Sequence, residues 1–456
     1  MLSWKPGIKR FTNRFALRWR LFRPFRRAIV LILIFVLLIV VISIWLYPTW
    51  IADNKSFLSL LALSIGGVVS FLSGFLQTLA QVILSYQKAE QSYRAFNRVT
   101  NKSKKFLSPK LRGIPNFLSR EETDVVLNHV INSTPVILTG DAGAGKSAIA
   151  VELLKKASEK NIFSLLIDAK TLTLIQNAGD LRAYFDIDES IYEAIQRLGE
   201  FIRVVLIIDQ LDNIAGTIPC EIAIELLTAC ADFEGVSVVA VSRYRESNEQ
   251  GAIRPLLESG FTNIHCQSIT DEQIINVLNQ IGVDTIPHSI IEIATNLLNL
   301  DILCEIVRTT DSQGITNIQD EIDLWEGYRL LLVERETYAA HRGEEFIAEA
   351  VRLARIGLQS PDRGFDMDYP QSPIQTRLSS SNVVEKISGR RYQFSHEKLQ
   401  DYLYAWDACE NGTLSDVVMA DIGELHARNV IVWMRDIYQR TNTLMYERFL
   451  EGVLDG

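Results

Sequence analysis

The run Gly140-Asp141-Ala142-Gly143-Ala144-Gly145-Lys146-Ser147 meets the phosphate-binding pattern G-x-x-x-x-G-K-[ST] at every fixed position. Its three glycines let the backbone turn tightly, so that successive N–H groups can point at a phosphate from the positive end of a following helix. Lys146 is then placed to reach β- and γ-phosphates, and the Ser147 hydroxyl to hold Mg²⁺, so the ligands predicted are ATP or ADP with Mg²⁺. A glycine turn that matches by accident needs no flanking elements. Here Pro135-Val136-Ile137-Leu138-Thr139 reads as a buried strand before the loop, and residues 148–156 read as a helix after it.

Two more positions complete the chemistry. Val204-Val205-Leu206-Ile207-Ile208 is the most apolar run of the body and leads directly into Asp209-Gln210-Leu211-Asp212. A central parallel strand presents its carboxyl end to ligands, which puts Asp209 where a Mg²⁺ partner is needed. Residues 236–241 form another apolar strand, ending in Ser242-Arg243 at the same edge, where a guanidinium can reach a terminal phosphate. A surface arginine at a strand end is the plainer reading of Arg243. Arg254 could serve a neighbouring subunit as a finger, although nothing in the sequence separates that from a solvated charge.

The elements that must position these residues follow an α/β order. A helix near residues 120–132, strands at 135–139, 162–167, 204–208 and 236–241, and helices between them predict a parallel sheet. From residue 270 the pattern turns helical, at 271–281, 289–298 and 302–309, a small group suited to cap a nucleotide. Further helices open at Asp323-Leu324-Trp325 and span 344–358. Residues 383–394, with Ser388-Gly389 in the middle, read as a hairpin leading into an amphipathic helix at Ser395-His396-Glu397-Lys398. Helices followed by a hairpin suggest a winged helix. The predicted fold is therefore an α/β P-loop NTPase with a helical lid and a winged-helix domain.

Charge is unevenly distributed. Residues 1–112 hold 18 Lys and Arg against Asp53 and Glu90, whereas the remainder holds 28 against 53 acidic residues, a balance that argues against a nucleic-acid-binding body. Residues 1–27 are basic, and 28–52 carry no charge, enough for a membrane-spanning helix. A second uncharged run at 56–87 predicts a second span near 57–77 or, as the alternative, a helix lying on the membrane, with Ala62, Gly66, Ser70, Gly74 and Thr78 on one small-residue stripe. Basic flanks on both sides predict a multi-pass inner-membrane protein with its body in the cytoplasm. Leu79, Val82, Tyr86, Ala89, Tyr93 and Phe96 read as a coiled-coil seam or an amphipathic stalk, and residues 101–115 as a linker. Five well-separated cysteines suit a reducing compartment.

The order of these features resembles the STAND signalling NTPases, the P-loop group that contains the NACHT and NB-ARC switch proteins, over roughly residues 117–410. The resemblance rests on the P-loop, Ile207-Ile208-Asp209-Gln210-Leu211-Asp212, Ser242-Arg243, Asp323-Leu324-Trp325 and Tyr392-Gln393-Phe394-Ser395-His396. It implies an NTPase domain at 117–269, a lid at 270–322, a winged helix at 323–410 and a short tail at 411–456. It further implies that Asp209 binds Mg²⁺ with Asp212 as a second acidic residue, that Arg243 senses the γ-phosphate, and that His396 touches the β-phosphate of ADP in a closed state. The chain departs from the family where Leu300 follows Asn299 in place of the proline near the adenine. It also departs in having 46 residues rather than long repeats after residue 410.

Gln210 stands where fast motors often carry a glutamate, so slow hydrolysis is expected. The expectation is a membrane-anchored ATP/ADP switch that self-associates when activated, in prokaryotic defence or stress signalling, with a sensor or effector partner not identified by the sequence. The alternatives are a membrane-tethered AAA-like ATPase doing mechanical work and, less in keeping with the acidic body, a DNA-binding ATPase.

Overall fold

The computed structural model describes residues 55–450 apart from 108–113, 115–117, 119, 174, 244–252, 311–314, 316, 341, 361–362, 369–370, 382, 389, 412–424 and 442–444. Two units are distinguished, Met1–Ser85 and Tyr86–Gly456.

Helix α1 (Lys55–Leu107) starts in the first unit and ends in the second. In the first unit Gly66, Ser70, Gly74 and Thr78 are exposed and, at a spacing of four, share one helix face. Among the described residues no helix is long and apolar enough to cross a membrane, which overturns the multi-pass membrane placement expected from the sequence. Within α1 the residues between Lys55 and Lys88 carry no charge and intersperse Ser, Gly, Gln and Thr among the apolar ones. The first expected span, at 28–52, and the basic residues before it lie outside the described residues.

From Tyr86 onward α1 is no free stalk. The ring of Tyr86 lies 5.8 Å from Phe201, Tyr93 lies 4.6 Å from Phe163, and Phe96 lies 5.3 Å from Phe185. From Tyr86 on, the apolar seam read as a coiled coil or stalk packs on the chain's own α/β body, with Ala89 and Phe96 fully covered, whereas Val82 before it is exposed.

That body runs α2 (Glu121–Ile131), β1 (Val136–Thr139), α3 (Lys146–Glu159), β2 (Phe163–Asp168), α4 (Ala178–Phe185), α5 (Ile191–Phe201), β3 (Val204–Asp209), α6 (Ile218–Ala231), β4 (Val236–Val241), α7 (Arg254–Glu258) and β5 (Thr262–His265). The five strands form one parallel sheet in the order β2-β3-β4-β1-β5. Alternate residues of β1, β3 and β4 enter separate apolar cores on the two faces, which is why these runs are apolar throughout. Strand β5 escaped the sequence reading because Thr262-Asn263-Ile264-His265 is a polar edge strand.

The other edge strand, β2, is closed by α1. Thr100 Oγ1 donates to the Ser164 carbonyl at 3.1 Å and accepts from the Leu166 N–H at 3.0 Å, and Ser103 Oγ accepts from the Asp168 N–H at 3.2 Å. Two hydroxyls therefore satisfy backbone groups that an open edge would leave for another chain.

Beyond the sheet come α8 (Asp271–Gln280), α9 (His288–Ala294) and α10 (Leu297–Thr310), then α11 (Glu321–Ala340), α12 (Gly343–Leu358), β6 (Phe365–Asp366), α13 (Pro373–Ser380), β7 (Val384–Ser388), β8 (Arg391–Phe394), α14 (Glu397–Asn411) and α15 (Leu425–Thr441). The expected hairpin is β7–β8, and the two-residue β6 adds a third strand to give an antiparallel sheet in the order β6-β8-β7. One core joins the lid helices, this distal module and α15, with Trp325 packed among Tyr402 and Trp433. Helix α15 is therefore an integral part of the distal module.

Candidate functional site

Gly145 takes φ 97°, a left-handed conformation open to glycine, and α3 begins at the next residue. The loop and the first turn of α3 line a cavity of about 560 Å³. Of the residues expected to act, Ala142, Gly143, Gly145, Lys146, Ser147, Asp209, Asp212, Arg243 and His396 line it together. Gly140, Asp141 and Ala144 belong to the loop but do not line the cavity. The carbonyls of Gly140 and Asp141 accept from Lys146 Nζ at 2.8 and 2.7 Å, and the Ala144 carbonyl accepts from Cys266 Sγ at 3.2 Å. Lys146 is thus folded back onto its own loop, with its pKa lowered by burial.

Strands β2 and β3 end in register, with Asp168 beside Asp209. Asp209 is 1% exposed. Its Oδ1 accepts from the Gln210 N–H at 2.8 Å, while the buried Oδ2 has no hydrogen-bond partner. Burial, with Asp168 and Asp212 nearby, pushes its pKa up to about 7, and the Ser147 hydroxyl and Lys146 only partly offset this. A buried carboxylate oxygen without a partner, next to a serine hydroxyl, is a donor set that suits a hard divalent cation. Ser147 and Asp209 are accordingly the residues that would hold Mg²⁺.

Asp212 does different work. Its Oδ2 lies 3.1 Å from Arg243 Nε and its Oδ1 accepts from the Arg243 N–H at 3.2 Å, so it fixes the arginine. Gln210 adopts φ 63°, and its Oε1 accepts from Asn213 Nδ2 at 2.9 Å, which engages the amide locally.

The far wall comes from the distal module. His396 lines the cavity, and its main-chain carbonyl accepts from the Leu399 and Gln400 N–H groups at 3.1 and 3.3 Å, so the residue also begins α14. Its neighbour Glu397, which sequence reasoning passed over as a site residue, makes the bridging contacts. Glu397 Oε2 accepts from Arg243 Nη2 at 2.5 Å and Oε1 from Lys170 Nζ at 2.5 Å, with Arg363 Nη1 at 3.7 Å. Although burial opposes the charge, Lys170, Arg243 and Arg363 hold the Glu397 carboxyl well below the usual carboxylate range. Arg363 also pairs with Asp401. In sequence Glu397 looked like a routine acidic residue in a first helical turn, a common choice near the positive helix end.

The lid closes from a third side. Sequence boundaries placed one helix across residues 289–298, but the chain breaks at Thr295-Asn296 and α10 starts at Leu297. Asn296 Oδ1 caps α10 by accepting from the N–H groups of Leu298 and Asn299 at 3.1 and 3.4 Å, and its Nδ2 donates to the Ala142 carbonyl at 2.7 Å. A Cβ on Gly143 would come within 2.3 Å of Asn296 Oδ1, so the loop glycine makes room for this contact. Asn299, singled out from the sequence, lies inside α10, where its Nδ2 donates to the Ile293 carbonyl and to Glu321. Arg254 opens α7 and is exposed, paired with Glu258 at 2.9 Å.

No protein-family model matches the chain, and no curated protein matches it. Among solved structures the chain is similar to AMPPCP-bound DnaA from Aquifex aeolicus, at 11% identity over 77% of this chain and 99% of that one, TM-score 0.40. It is also similar to the Walker-type ATPase of Pyrococcus abyssi, at 12% identity over 63% and 96%, TM-score 0.35. A third is the Orc1 protein of Aeropyrum pernix in complex with DNA, at 14% identity over 66% and 96%, TM-score 0.34. The chain's own sheet, loop and helix are those of an α/β P-loop NTPase fold.

Proposed function

We propose that this chain is a nucleotide switch of the STAND kind, which binds ADP or ATP with Mg²⁺, hydrolyses ATP slowly and self-associates when loaded with ATP. Lys146 holds the terminal phosphates, Ser147 and Asp209 hold Mg²⁺, Arg243 reads the γ-phosphate, and His396 faces the β-phosphate of ADP. Bound Mg²⁺ would supply charge neutralisation across the phosphates. In this reading residues 117–269 form the NTPase domain, 270–322 the lid and 323–410 a winged-helix module whose departure opens the switch, and 411–456 follow with α15 packed into that module's core. An unidentified sensor or effector supplies the signal. The acidic body argues against nucleic acid as the partner.

The observation that supports this most is the direct ion pair between Arg243 at the sheet edge and Glu397 of the distal module, on a cavity they share with the P-loop. A plain ATPase needs no such link. Slow hydrolysis is supported by Gln210, whose amide is tied to Asn213. Purification of the full chain followed by denaturation and identification of the released nucleotide tests the reading. The wild type is expected to carry ADP, and Lys146→Ala none, with turnover far below the enzyme median of ~10 s⁻¹. A wild type that carries and binds neither ADP nor ATP would end it.

A further inference from the structure

Three cations converge on one carboxylate. Lys170, in the turn after β2, and Arg243, after β4, both lie 2.5 Å from Glu397, and Arg363 lies 3.7 Å away. Lys170 and Arg243 come from the α/β body and line the same cavity as Lys146 and Ser147, whereas Glu397 comes from the distal module. Their side chains are largely covered, at 15, 19 and 20% exposure for Lys170, Arg243 and Glu397. Cations held out of water in this way require an anion, and removing one partner leaves an uncompensated charge. Asp212 satisfies the Nε edge of Arg243 and leaves its Nη2 edge to Glu397.

Resting on the nucleotide-switch reading above, the geometry points to an anion subsite built by Arg243 and Lys170, occupied by the Glu397 carboxylate in the closed form and by the terminal phosphate of a nucleoside triphosphate in the open one. Glu397 is an internal competitor for the γ-phosphate. A phosphate offers the same acceptor oxygens to the guanidinium fork and the ammonium, with more negative charge. A diphosphate ends one group earlier and leaves Glu397 in place. The distal module is released only when another anion takes over both cations, so ATP and ADP bind the two forms with different free energies, as any switch requires. Lys170 becomes a γ-phosphate ligand in this scheme, a role its sequence context did not suggest. A simple clamp would instead hold the module closed without regard to the nucleotide.

The test compares the full-length wild type with Glu397→Gln in equilibrium titrations with ADP and with a non-hydrolysable ATP analogue. Neutralising the competitor is expected to tighten the ATP analogue by about tenfold or more while ADP changes by less than about twofold. An equal change for both nucleotides, or none, overturns the proposal. Because the variant could fold poorly, the wild type supplies a second readout. Amide exchange at residues 398–401, the first turn of α14, should quicken with the ATP analogue and not with ADP, and identical exchange under both overturns the proposal. A wild type that binds neither nucleotide removes the switch reading as well. One that binds both, with an unmoved ratio in the variant, removes only the competitor role.

Discussion

At Asp209, burial and function pull in opposite directions. Its pKa is pushed to about 7, first by burial and then by Asp168 and Asp212, so at higher pH the ligand-free fold carries a strained charge. Each pKa unit corresponds to about 1.4 kcal/mol, which puts the penalty on the order of 4 kcal/mol well above neutrality. The sign follows from a carboxyl whose folded pKa exceeds its unfolded one. The penalty is absent below the ordinary carboxylate range, grows as pH rises from there to about 7, and is complete above. Asp209→Asn is therefore expected to raise the thermal midpoint of nucleotide-free protein at pH 8 by several degrees and to flatten its pH dependence, while abolishing Mg²⁺-dependent hydrolysis. Glu397 behaves oppositely. Burial opposes its charge, but Lys170, Arg243 and Arg363 hold its pKa well below the ordinary value. Its stabilisation is present above the unfolded carboxylate pKa and is lost as pH falls through its lower folded pKa. Acid unfolding of Glu397→Gln, followed by circular dichroism, should lack that component. The loop, Asp209 and Arg243 were legible in the sequence because a fixed spacing or a strand end marks them. Glu397 was not, since its role depends on Lys170, 227 positions earlier in the chain.

Among the elements, α1 and α10 depart furthest from the sequence reading. Periodicity alone could show that α1 has an apolar seam, but the surface that seam covers is set by tertiary packing on Phe163, Phe185 and Phe201. Its hydroxyls carry a testable consequence. Thr100→Val leaves the Leu166 N–H and the Ser164 carbonyl on a covered edge without their partner, which should cost about 1–3 kcal/mol in urea unfolding. The start of α10 was missed because residues 289–298 read as one apolar helix, whereas a polar residue at Asn296 interrupts it with a cap. Asn296→Ala removes both that cap and the tether to Ala142, with an expected loss of about 1 kcal/mol and faster release of bound ADP in stopped-flow chase experiments. The four buried strands were legible throughout, since burial on both faces demands continuous apolar runs. The polar edge strand β5 and the two-residue β6 carry no such demand.

For the molecule as a whole, the charge asymmetry and the uncharged runs pointed to a membrane, and among the described residues no helix is long and apolar enough to cross one. What the architecture of Tyr86–Gly456 does offer is a cavity walled by a phosphate loop, a sheet edge, a lid and a distal module. Closing that cavity by ion pairs rather than by a continuous apolar interface makes the closure responsive to a charged ligand. The most direct test is the affinity of the full chain for ADP and for ATP, measured for wild type and His396→Ala. The wild type is expected to hold ADP more tightly than ATP, by about tenfold or more, and the substitution to narrow this preference by weakening ADP, while ATP still binds against the competition of Glu397. Equal affinities in the wild type, or a preference untouched by the loss of His396, would contradict that expectation.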